Sequence, residues 1–177
     1  MVLNLIISFL LLSLSISVVA NEDKSEAQLT IEVLDAFCIQ NQTDFSNITL
    51  MAKSSGGKVL PNEMADPVMR ELGGSTVYIP YQGRNYLIAY ANGGGCSVGT
   101  KFIDEVNLKN LLNKHFTLSL LDTQRSLSQA NEIFEVKSSG LLLGAIFSIT
   151  YSLADTGYKD GSISFIPANT VNKATGN

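Results

Sequence analysis

The chain has one histidine, two cysteines and no cluster of basic residues. A single imidazole excludes any site built on two, including the usual catalytic zinc sets. Twelve Lys and Arg are scattered among sixteen Asp and Glu, for a net charge of -4. They supply no electrostatic footprint for a phosphate backbone, which argues against a nucleic-acid partner. Neither a metal nor a cofactor is called for. No internal repeat is present.

The apolar residues are not evenly spread. Residues 2–20 are almost wholly apolar and serine, carry no charge, and end in Val18-Val19-Ala20, with small residues at the two positions a signal peptidase reads. This predicts a secretory signal peptide over residues 1–20 and a mature start at Asn21. No Lys or Arg precedes Leu5, so the initiator amine is the only positive charge there. The competing reading is an uncleaved anchor. Ser8, Ser13, Ser15 and Ser17 dilute the run, which falls short of the roughly 20 apolar residues a spanning helix needs, so no membrane span is expected after cleavage. No cysteine follows the run, which leaves a lipoprotein's lipid-modified cysteine without a candidate. What remains, residues 21–167, is expected to form one domain, followed by a flexible tail over residues 168–177.

Ser25-Glu26-Ala27-Gln28 reads as a capping box, with Glu22, Asp23 and Glu26 near the positive end of the helix it opens. Ala27, Ile31, Leu34 and Cys38 then form an apolar stripe that carries Cys38 inward. A second helix is expected from Ile48 to Ser54, ended by Gly56-Gly57, and a third from Pro67 to Leu72. From Ser75 the period changes to two. Residues 76–81 and 85–91 predict a hairpin turning at Gln82-Gly83-Arg84, with Pro80 marking the first of these strands as an edge. In the next strand Cys96, Val98 and Phe102 fall on one face, Ser97, Gly99 and Lys101 on the other. Asp104 opens a helix with Leu108, Leu111, Leu112 and His115 on one side. Strands follow around residues 116–123, 133–137, 143–153 and 162–166. Leu143, Ala145, Phe147, Ile149, Tyr151 and Leu153 form the inward set of the longest. The fold class is therefore α+β, with N-terminal helices packed on a mainly antiparallel sheet of about six or seven strands and one helix inserted after the third.

Each candidate for chemistry has a structural rival. Gly95-Cys96-Ser97-Val98-Gly99 fits G-x-S-x-G, and the order Ser97, Asp104 or Glu105, His115 can be recited. A nucleophile elbow needs its serine on a sharp strand-to-helix turn, however, and the chain after Ser97 continues as strand. Cys96 as a thiol nucleophile would take His115 as base and the glycines 93–95 as an oxyanion cradle. An exported chain meets an oxidising compartment, and both cysteines lie on inward faces, so a Cys38–Cys96 disulfide is the favoured reading. Asp155-Thr156-Gly157 matches the aspartic-protease triplet, but such enzymes pair two aspartates, and one triplet beside Tyr158-Lys159-Asp160-Gly161 reads as turn chemistry. Asn41-Gln42-Thr43 and Asn47-Ile48-Thr49 are glycosylation sequons.

Four of the six tyrosines, Tyr78, Tyr81, Tyr86 and Tyr90, fall on the first hairpin, and Tyr86 and Tyr90 share a face. Tyrosine joins contact area to a polar tip, so the hairpin is a candidate binding surface for a protein, peptide or glycan; the rival is that strands favour tyrosine anyway.

Phe37-Cys38 on the first helix and Gly95-Cys96-Ser97-Val98 on the third strand resemble a family of small exported bacterial envelope proteins of unknown function. In that family a Phe-Cys helix precedes a later Cys-x-Val strand. The likeness covers residues 27–116, implies a periplasmic location and lends no activity. The expectation is a periplasmic or secreted, non-enzymatic binding or interaction protein with a partner in the envelope. Its rivals are a small hydrolase using Cys96 or Ser97, and an inhibitor or immunity protein against an envelope-degrading enzyme.

Overall fold

Ser25 opens α1 (Glu26–Val33) with the reciprocal bonds its sequence predicts: its hydroxyl accepts from the Gln28 N–H at 3.3 Å, and the Gln28 side chain accepts from the Ser25 N–H at 2.8 Å. The computed structural model of the chain describes residues 24–153 and 160–175. The apolar segment 2–20, the expected start at Asn21 and the Asp155-Thr156-Gly157 triplet lie outside the described residues.

After Val33 the helix widens into a π-helical turn, Leu34–Ile39, closed by the Gln40 N–H on the Asp35 carbonyl. Asn41 ends it, its side-chain amide donating to the Ala36 and Phe37 carbonyls at 3.0 and 3.1 Å. The change of pitch alters the buried face. Ala27, Leu34 and Cys38 are inward as the stripe predicts, but Ile31 is only half-buried, and Leu29, Thr30, Val33 and Phe37 are buried beside them. With its amide so engaged, Asn41 is not presented for modification, whereas Asn47 is exposed in the first turn of α2 (Asn47–Ser54).

Among the described residues the sheet has eight strands, all antiparallel: β1 (Lys58–Val59), β2 (Ser75–Tyr81), β3 (Arg84–Tyr90), β4 (Cys96–Thr100), β5 (Leu118–Arg125), β6 (Gln129–Val136), β7 (Ile146–Ser152) and β8 (Gly161–Ile166). Their order is β1-β2-β3-β4-β8-β7-β6-β5. After β4 the chain crosses through α4 (Glu105–His115) to the far edge and returns as a meander until β8 pairs with β4. The α+β class is as expected. The additional strand is β1, only two residues long and outside β2, which corrects the reading of β2 as an edge. β1 pairs with Val77 and Tyr78 alone, so Pro80 is never asked for a ladder bond on that side.

The core lies between the sheet and the layer containing α1 and α4, which pack against each other. One row of residues in register crosses its centre: Phe134, Phe147, Phe165, Cys96 and Tyr90, from β6 to β3. Ala145, Phe147, Ile149 and Tyr151 are buried as their alternation predicts, whereas Leu143 and Leu153 are exposed. Leu143 belongs to the tight turn before β7, where Gly144 takes a φ of +82°.

α3 (Pro67–Glu71) starts with proline as expected, capped by the Asp66 carboxylate on the Met69 N–H at 2.9 Å. The expectation of a frayed segment from Ala168 is overturned: those residues form α5 (Ala168–Thr175). Pro167 ends the strand and its carbonyl accepts from the N–H groups of Thr170 and Val171, which starts the helix. Ala168 then lies against Gly144 of the β6–β7 connection.

α4 is tied to the meander by charge. The Glu132 carboxylate accepts from Lys109 Nζ at 2.8 Å and from the Tyr151 hydroxyl at 2.9 Å. Burial of Glu132 raises its pKa, but the bonds from Lys109 and Tyr151 outweigh this, so it sits below the ordinary value of 4.5. A carboxyl with a depressed folded-state pKa contributes stability above its unfolded value and loses it as pH falls through the folded one. Acidification from neutral pH to below about 4 is therefore expected to lower the melting temperature, and Lys109→Met to flatten that dependence. Parallel melting curves for the two proteins across this range check it; identical slopes would contradict it.

Candidate functional site

The β3–β4 ladder ends at Leu87 opposite Gly99. Below that pair β3 stays with β2, while β4 stays with β8 through Thr100 and Gly161. Thr100 turns the chain away, its hydroxyl accepting from the Phe102 N–H at 3.3 Å. This bend overturns the inward placing of Phe102, which is 48% exposed. The hairpin closes beside it through Gln82 and Gly83, both with positive φ, a two-residue turn of the kind that suits strand twist.

Between the parted strand ends lies a cleft of about 680 Å³. Its floor is Glu26, brought by the first turn of α1. One carboxylate oxygen, Oε1, accepts from the Tyr86 hydroxyl of β3 at 3.2 Å and the Thr100 hydroxyl of β4 at 3.0 Å, so a single carboxylate spans the gap. The other, Oε2, is buried and makes no hydrogen bond among the described residues; Arg84 Nη1 stands 3.3 Å from it as an ion-pair contact. Burial, and next the Glu26 charge, push the Tyr86 phenol well above its usual pKa, which keeps it a donor. Arg84, Lys101 and Asp160 supply the other charged groups of its lining, and Leu87 and Phe102 supply apolar wall.

The hairpin tyrosines are thus mostly not surface. Tyr86 is fully buried and Tyr90 6% exposed, which corrects their assignment to a binding surface. Each clamps the hairpin to the helices: Tyr86 to Glu26, Tyr81 to Glu32 at 2.9 Å, and Tyr90 to Thr49 through a short hydroxyl–hydroxyl bond. Tyr86 and Tyr90 face inward together with Ile88, with which they alternate on β3. Tyr78 is half-buried, bonds Asn85 and lines the cleft.

Cys38 and Cys96 are bonded to each other, both fully buried, 58 positions apart in sequence. The glycine run before Cys96 serves this join. Gly93 takes a left-handed φ of +77°, and a Cβ on Gly95 would stand 2.9 Å from the Phe165 carbonyl of β8.

Compared with family models, with curated proteins and with solved structures, the chain matches none.

The recited catalytic sets do not converge. Ser97 is half-buried on the opposite sheet face and accepts a hydrogen bond from Ser164. Asp104 caps α4 through the Asn107 N–H, whereas His115 is exposed at the other end of that 11-residue helix, roughly 16 Å away. Cys96, as a disulfide sulfur, has no thiolate with which to attack. Among the described residues no group of three or more His, Cys, Asp or Glu could hold a metal ion, and no helix is long and apolar enough to cross a membrane. Sequence reasoning placed Glu26 only as a favourable helix-end charge and Arg84 only in a turn. Their common site depends on strand order, which local pattern does not carry.

Proposed function

We propose that the protein is an exported, non-enzymatic binding protein that takes its ligand or partner segment in the cleft above Glu26. The observation that carries binding is the cleft itself. It is concave, of a size ordinary for small ligands, and combines apolar wall with a few fixed polar groups. Export is supported by the apolar segment 2–20 and by a disulfide of the kind that persists in oxidising compartments. The periplasm is the location that the resemblance of Phe37-Cys38 and Cys96-Ser97-Val98 to exported envelope proteins implies.

The test of export is the mature terminus. The full chain expressed in a bacterial host should be recovered from the periplasmic fraction with Asn21 first. Cytoplasmic material, or a membrane-bound chain beginning at Met1 or Val2, would contradict export.

A further inference from the structure

We propose that the cleft recognises a ligand bearing a single carboxylate on an apolar body, with Arg84 as the anchor of the carboxylate. The inference rests on the binding reading above and names its chemistry. Arg84 Nη1 stands 3.3 Å from Glu26 Oε2 with no hydrogen bond between them, and 46% of the Arg84 side chain remains exposed. An exposed guanidinium offers a planar fork of N–H groups, the geometry that meets a carboxylate as two parallel bonds. Lys101, exposed in the same lining, adds a second cation, and Leu87 and Phe102, at 47% and 48% exposure, offer an apolar seat.

The charges around the cleft limit the ligand. Arg84 and Lys101 are balanced by Glu26 and Asp160, so the cleft has no net positive charge to hold a multiply charged phosphate. A singly charged carboxylate needs only the local fork. Glu26 is a positioning residue here: its charge stands beside Arg84, and through the Tyr86 and Thr100 hydroxyls it ties β3 to β4. The carboxylate can come from a free amphiphilic acid or from the C-terminus of a peptide, because both present the same group beside an apolar side chain.

The experiment is a titration of the oxidised mature domain, followed by amide chemical shifts. The probes are N-acetylphenylalanine, its carboxamide, phenyl phosphate, and a pentapeptide ending in phenylalanine with free or amidated C-terminus. Shifts should centre on residues 84–87 and 99–102. The acid should bind at least about tenfold more tightly than its amide, as expected of a charge-assisted pair against a neutral one. Arg84→Gln should abolish that ratio. Lys101→Gln, at an exposed position, should reduce it and serves should the Arg84 variant fail to fold. A peptide preference for the free C-terminus, larger than that of the single residue, assigns the source as peptide; equal ratios assign it as a small acid. Equal binding of acid and amide, stronger binding of phenyl phosphate, or no shift at the cleft with any probe up to about 10 mM overturns the ligand class. Acid and amide binding equally at the cleft would still uphold the binding reading, so the two failures are distinguishable.

Discussion

Replacing Cys38 and Cys96 together by alanine is expected to lower the melting temperature by on the order of 10 °C. A bridge between positions 58 apart contributes about 4 kcal/mol by loop-closure entropy, and a domain of this size shifts roughly 2 to 4 °C for each kcal/mol. Packing adds to the loss. Both sulfurs are fully buried, and Cys96 stands in register between Phe165 and Tyr90 at the centre of the core row. The measurement is a thermal melt of the oxidised protein beside the double variant, with the wild type under reductant as a third curve. Reduction and substitution should both lower the transition. A double variant that melts with the wild type would mean that the bond only staples what packing already holds.

The same bond shows what local sequence carries and what it does not. Cys38 and Cys96 were each readable as inward from the periodicity of one element, and an oxidising compartment needs only that the two inward faces meet. The capping box at Ser25, the turn at Gln82-Gly83 and the stripe through Phe147 are likewise local, because each depends on residues within one or two turns. β1 is two residues of strand created by the exposed backbone of β2, and its own sequence, Lys58-Val59, contains no period to read. α5 was missed because its polar composition has nothing that demands a helix; the buried Pro167 and the contact with Gly144 place it. Alternation places Tyr86 and Tyr90 on one face, but only packing says which face is covered, and here theirs is. Glu26, Arg84, Thr100, Lys101 and Asp160 lie up to 134 positions apart in number, and meet because β3, β4 and β8 are neighbours in the sheet.

Phe147→Ala should be the most damaging single change in the sheet, costing about 3 to 5 kcal/mol, the usual range for truncating a buried phenylalanine. Phe147 is fully buried on β7, with Phe134 and Phe165 in register on either side. Its ring lies 5.6 Å from that of Phe165 and 5.4 Å from that of Phe116, which follows α4. Removing it opens a cavity bounded by antiparallel strands on both sides, whose ladders cannot close inward without losing register, so little of the space can collapse. Phe147→Leu keeps most of the volume and should recover more than half of the loss. Leu127→Ala is the control: its side chain is fully exposed in the β5–β6 turn, and the change should stay within about 0.5 kcal/mol. Urea unfolding of the three variants ranks them directly. A Phe147→Ala midpoint close to that of Leu127→Ala would show that the aromatic row is not where the stability of the domain resides, and that the helix layer and the Cys38–Cys96 bond hold the sheet without it.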